Sequence, residues 1–116
     1  MSASELLTVD VAADREATVA HVRGEVDMGT ASVLRDHLDA LTARPDPTPL
    51  VVDLTAVRFM ASAGLALLVE LHHRLSEADR PLRVVVAGGP VLRALQVTSL
   101  DHVLDVSPSL DEALRG

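Results

Sequence analysis

Two short, nearly unbroken apolar runs constrain this chain most: Leu50-Val51-Val52-Asp53-Leu54 and Leu82-Arg83-Val84-Val85-Val86. A strand with one wet face alternates apolar and polar residues. A strand apolar at almost every position suits the middle of a parallel sheet, where both faces are covered. Between the two runs, from Ser62 to Ala78, apolar residues return at helical spacing. Strand, helix, strand is a crossover unit, and such units are right-handed. The predicted class is therefore α/β.

The flanking segments extend the same pattern. Leu7-Thr8-Val9-Asp10-Val11 and Thr18 to Arg23 each alternate, and Asp14-Arg15-Glu16 between them is a polar turn, so an antiparallel hairpin is expected at the start. Ala31, Leu34, Leu38 and Leu41 form one apolar stripe of a helix, with Arg35, Asp36 and Asp39 off it in water. Pro45, Pro47 and Pro49 mark a loop. Gly88-Gly89-Pro90 is read as a turn, with Pro90 placed for the first turn of a helix over Val91 to Val97. His102 to Val106 reads as a last strand, and Ser109-Leu110-Asp111-Glu112 is a capping-box pattern opening a terminal helix. The expectation is a mixed, mostly parallel sheet of about five strands with about four helices, packed mostly on one side. Leu67, Leu68, Leu71, Val52, Val84 and Val86 are the expected core.

Composition excludes several functions. The chain has 116 residues, enough for one domain with a real core, expected over residues 1–116. Cysteine is absent, which removes disulfides and thiolate metal sites and suits a reducing compartment. Seventeen acidic against ten basic side chains leave a net charge of −7, which repels nucleic-acid backbones. Phe59 is the only aromatic residue, so bases have no stacking platform. The acidic surface suits solubility or a basic protein partner. The longest uncharged apolar-rich run, Phe59 to Val69, is well short of the roughly 20 residues of a membrane helix, so no membrane insertion is expected. Met1 to Glu5 lacks the pattern of a signal peptide.

The helix beginning at Ser62 carries the functional reading. At 100° per residue, Gly64, Leu67, Leu68, Leu71, Leu75 and Ala78 fall on one side as a core face. Ser62, Ala66, Val69, His73 and Ser76 fall on the other, with no charge until Glu70 and Glu77 at its edge. A small, weakly polar helix face beside a hydroxyl can accept a protein partner. The residues alone leave two roles open for Ser62: a helix N-cap, or a phosphorylation site at the positive end of a helix dipole.

The stretch Val51-Val52-Asp53-Leu54-Thr55-Ala56-Val57-Arg58-Phe59-Met60-Ala61-Ser62-Ala63-Gly64-Leu65-Ala66-Leu67-Leu68 resembles the signature of STAS domains. These are the anti-sigma factor antagonists and related domains of sulfate transporters. Gly24-Glu25-Val26-Asp27 is similar to the family's element before the first helix. Gln96-Val97-Thr98-Ser99-Leu100-Asp101-His102-Val103-Leu104 is similar to its third-helix ending and last strand.

The resemblance implies a non-enzymatic, cytoplasmic regulator of transcription in stress responses that works by partner switching. It binds an anti-sigma factor and frees a sigma factor. The anti-sigma factor is a serine kinase that brings its own ATP and Mg²⁺, and it phosphorylates the first serine of the motif, here Ser62. A phosphatase reverses the step. The expected partner surface is Ser62, Ala66, Val69 and His73, with Asp27 and Arg35 beside it. Asp27 either caps the first helix or stands close to Ser62 as a like charge, and Asp53 is structural, ending its strand. The family's Asp before the serine is Ala61 here, and Ala63 follows, which bears on the rate of phosphorylation.

Other classes fit less well. Met60-Ala61-Ser62-Ala63-Gly64 lacks the first glycine of a nucleophile elbow. His72 and His73 lie about three turns along the same helix, out of reach as a base. His21, His37 and His102 are isolated, and read as surface or internally satisfied residues. No cofactor or metal motif is present. The alternative is another binding class: a stand-alone STAS subunit of a membrane transporter complex, or a scaffold subunit of a stress-sensing assembly.

Overall fold

The computed structural model describes residues 6–43 and 45–115. The signal-peptide expectation for Met1 to Glu5 lies outside them. The chain opens with strands β1 (Leu7–Asp14) and β2 (Ala17–Val26), followed by helix α1 (Ala31–Thr42). Then come β3 (Leu50–Met60), α2 (Ser62–Glu77), β4 (Leu82–Val85) and α3 (Gly89–Val97). A 3₁₀ turn (Leu100–His102), β5 (Asp105–Ser107) and α4 (Leu110–Arg115) complete it.

The strands form one five-stranded sheet in the order β1-β2-β3-β4-β5. β1 pairs antiparallel with β2, and every later pair is parallel. The hairpin turns through Arg15 and Glu16, both at positive φ (47° and 66°), directly between the paired residues Asp14 and Ala17. Two left-handed residues match the twist of the flanking strands.

Burial follows the two-residue strand period. Val22, Val52, Leu54 and Val84 face α1, α2 and α3, and meet Leu34, Leu38, Leu67, Leu68, Leu71, Val91 and Leu95. Ala17, Val19, Val51 and Val85 face the other way and are covered by Ala113 of α4. The sheet is thus packed mostly on one side, as expected, and all six expected core residues are buried. Leu71 is 1% exposed. Leu71→Ala should cost about 2–5 kcal/mol, read as a lower midpoint in urea unfolding.

Several boundaries differ from the sequence reading. β3 does not stop at Leu54 but continues to Met60, because Val57 and Met60 keep burying and β2 stays paired beyond its register shifts. Asp53 therefore sits within the strand and does not end it. His102 belongs to the 3₁₀ turn and not to the last strand. Ser99 turns left-handed (φ 60°), and the Leu100 carbonyl accepts from the N–H groups of Val103 and Leu104, which uses up that segment's backbone. Ala78 is not on the core face: α2 ends at Glu77, and Ala78 is an exposed C-cap. Gly88 and Gly89 do turn, at φ 127° and 79°, and Gly89 already opens α3. Ser109 caps α4 as expected, its Oγ accepting from the Glu112 N–H at 3.2 Å.

Candidate functional site

The candidate site lies where β2 and β3 deliver the chain to the starts of α1 and α2. Val26 pairs with Met60 in the parallel register, and Ala61 N–H donates to the Val26 carbonyl at 2.7 Å. Asp27 and Ser62 therefore leave neighbouring strands at the same end of the sheet. Gly64 lets α2 start so close: a Cβ there would stand 2.7 Å from Val26 Cγ1 and 2.8 Å from Met60 Cγ.

Ser62 is not the N-cap. Ala61, in extended conformation (φ −80°, ψ 171°), takes that position, and its carbonyl accepts from the N–H groups of Gly64 and Leu65. Ser62 is the first helical residue, so its side chain points outward from the first turn. The hydroxyl is exposed and makes no hydrogen bond among the described residues. The N–H groups of Ser62 and Ala63 have no preceding helical carbonyl to meet. A hydroxyl oxygen thus stands free at the positive end of a 16-residue helix.

Asp27 does shape the approach to α1. Its Oδ1 accepts from Gly29 N–H (2.8 Å), Thr30 N–H (2.9 Å) and Thr30 Oγ1 (3.2 Å). Thr30, 1% exposed, accepts from Asp27 N–H and donates to the Glu25 carbonyl. This turn presents Met28 at its tip, 87% exposed. Sequence reasoning missed Met28 because one apolar residue in a turn carries no periodicity. Its only signal is a large apolar side chain between Asp27 and Gly29.

Down the helices, α1 and α2 run side by side, joined by ion pairs. Arg35 donates to Glu70 at 2.7 Å and Arg74 to Asp39 at 2.8 Å, both with a sequence offset of 35 residues. Carried back one helical turn, the same offset sets Ala31 level with Ala66, while Asp27 precedes α1 and reaches this end of the sheet through the pairing of Val26 with Met60. The hydrogen bond from Arg35, with its charge, holds the Glu70 carboxyl below its ordinary range. That pair stabilises at neutral pH and is lost as pH falls through the lowered value. Arg35 is therefore committed to Glu70, two turns along α2 from Ser62. Ala66 and His73 are exposed and Val69 half-buried, so the outward stripe runs the length of α2 without a charge of its own.

Among the described residues, the histidines of α2 are out of reach of Ser62 as a base. His72 and His73, with ring centroids 5.6 Å apart, lie about 15 Å along the helix from Ser62. His21 is internally satisfied, one of the two roles expected for it, but it is not isolated. Its Nδ1 lies 2.9 Å from Asp53 Oδ2, and Asp53 Oδ1 also accepts from the Thr55 N–H and hydroxyl. Parallel pairing of His21 with Asp53 across β2 and β3 brings them together, on the sheet face away from α2. Among the described residues no group of three or more His, Cys, Asp or Glu is placed to hold a metal. None of the described helices is long and apolar enough to cross a membrane.

Comparison with known proteins agrees with this architecture. The model of the STAS domain family matches residues 8–113. The anti-sigma-F factor antagonist RsfB of Mycobacterium tuberculosis is 33% identical over all of this chain and 93% of its own length. RsfA of the same organism, also named an anti-sigma-F factor antagonist, is 30% identical over 84% of this chain and 77% of its own. The crystal structure of an anti-sigma factor antagonist from Mycobacterium paratuberculosis superposes with a TM-score of 0.89 at 35% identity, covering 99% of this chain and 97% of that one. On its sheet order, its strand-to-helix motif and this match along nearly the whole length, the chain belongs to the STAS domain family.

Proposed function

We propose that this chain is a cytoplasmic anti-sigma factor antagonist, a regulator without catalytic activity of its own. It binds an anti-sigma factor through the outward face of α2, with Met28 and Asp27 at its upper end, and so frees a sigma factor. The anti-sigma factor, acting as a serine kinase, phosphorylates Ser62 and ends the contact, and a phosphatase restores it. The observation that carries this reading is the Ser62 hydroxyl, exposed, unpartnered and released from capping by Ala61. The names of the full-length relatives support the choice of partner. The absence of a charged side chain along Ser62, Ala66, Val69 and His73 supports the choice of face.

Association through such a face gains from desolvating small apolar groups and is lost when a charge is trapped there. Val69→Glu is expected to weaken binding to the cognate anti-sigma factor at least tenfold, roughly one charge left without a partner. Its thermal midpoint should stay within about 4 °C of the parent, as for other surface substitutions. Calorimetric titration measures the first and a thermal melt the second. Undiminished binding by the variant would remove α2 as the contact face.

A further inference from the structure

On the sheet face away from α2, two arginines stand apart from the pairing that holds most of the described arginines. Arg15 and Arg115 pair with Asp111, Arg35 with Glu70 and Arg74 with Asp39. Arg80 and Arg83 donate to backbone carbonyls. Arg23 has no such partner among the described residues, and Arg58 has only Glu25, at 3.8 Å. Both line one cavity of about 200 Å³, with Thr8, Gly24 and Ala56.

The backbone makes that cavity. Thr8 pairs with Arg23 across β1 and β2, and the β2–β3 register shifts on either side of Arg23 and Gly24. Shifts of this kind re-aim side chains. Gly24 sits at φ 114°, where any Cβ would strike the Leu6 carbonyl, so its part of the cavity lining stays bare backbone. Neighbouring acids do not fill it. Asp53 is held by His21 and Thr55, and Asp10 lies across from His21, in the adjoining cavity that shares Arg23 and Ala56. Glu25 is the carboxylate that competes for Arg58.

We infer that Arg23 and Arg58, above the Gly24 backbone, form a binding site for a small phosphate-type oxyanion, with the Thr8 hydroxyl as a further donor. Guanidinium forks match the oxygens of phosphate, and charge-assisted hydrogen bonds are the strong ones. The cavity is smaller than the ~300–1,000 Å³ usual for drug-sized ligands, so it suits the ion or a terminal phosphomonoester and not a whole nucleotide. The site does not depend on the anti-sigma reading, because it lies on the opposite face of the sheet from the stripe along α2.

The test is an amide NMR titration of the intact chain with inorganic phosphate. Ionic strength is held constant with chloride, because exposed charges are screened. Saturable shifts are expected at Thr8, Arg23 and Gly24, with a dissociation constant on the order of 1 mM, the scale of a few exposed charge-assisted contacts. Arg23→Gln or Arg58→Gln should each weaken binding about tenfold, and the double variant should abolish it with an unchanged thermal midpoint. Arg93→Gln, which removes another unpaired arginine elsewhere, should bind like the parent. A parallel titration with O-phosphoserine identifies the source. Tighter binding than phosphate assigns the site to a phosphomonoester, and equal or weaker binding to the free ion. Linear, unsaturated shifts, or the same shifts in the double variant, would overturn the site.

Discussion

Ser62→Asp is expected to weaken binding to the anti-sigma factor about 100-fold, whereas Ser62→Ala should bind nearly as the parent does. The hydroxyl makes no internal hydrogen bond, so its removal leaves no buried group unsatisfied. A carboxylate at the same place changes the electrostatics on contact. Asp27 follows β2 at the same end of the sheet at which Ser62 follows β3. Two like charges about 6 Å apart repel by roughly 0.7 kcal/mol in water but by roughly 3 kcal/mol once the contact lowers the effective dielectric to about 20. That difference of about 2 kcal/mol, with the desolvation of the added charge, supplies the expected factor. In the free domain the positive end of α2 favours a negative group by about 0.3–1 kcal/mol, which offsets the screened repulsion. Binding should therefore fall while the thermal midpoint holds, a combination that separates a switch from a folding defect. Phosphate carries about −1.5 to −2 charges and should act more strongly in the same sense. Mass spectrometry of the chain incubated with its kinase, Mg²⁺ and ATP should place the phosphate on Ser62, and Ala61→Asp should speed the reaction. A phosphate elsewhere, or none on either variant, would leave Ser62 without this role.

Arg80→Met is expected to cost about 3–5 kcal/mol, the largest loss from a single polar side chain in the domain. Arg80 is 5% exposed. Its Nε donates to the Thr48 carbonyl at 2.6 Å and one terminal nitrogen to the Leu41 carbonyl at 3.4 Å, and the other lies 3.9 Å from Asp46. One guanidinium thus ties the end of α1 and the proline-rich loop to the turn after α2. Methionine keeps most of the stem's volume but strands the carbonyls, each at about 1–3 kcal/mol when buried. The thermal midpoint should drop by at least 10 °C, roughly what such a loss produces in a domain of this size. Arg80→Lys should not restore it, because a single ammonium cannot meet both carbonyls in the geometry of the fork. A methionine variant as stable as the parent would show that packing alone holds the loop.

Much of the fold was legible in the residues. The apolar runs at Leu50 and Leu82 became central parallel strands, and the stripe Leu67, Leu68, Leu71, Leu75 became the buried face of α2. The same helical period set Ser62, Ala66 and His73 outward. These features are local, since a side chain's face is set by the repeat of its own element. Tertiary structure decided the rest. Pairing across β2 and β3 joined His21 to Asp53, which sequence spacing leaves 32 residues apart. The offset of 35 residues between α1 and α2 committed Arg35 to Glu70, and the pairing of Val26 with Met60 brought Asp27 to the end of the sheet where α2 starts. The backbone of Ala61 took the cap position and left Ser62 free, and the turn pinned by Asp27 pushed Met28 into solvent. Nothing in the sequence distinguishes Arg80 from a surface arginine, yet it is buried against the Thr48 and Leu41 carbonyls. Such contacts depend on strand register, bulges and the distance between helices. Those quantities follow from how whole elements pack, and no periodicity within one element records them.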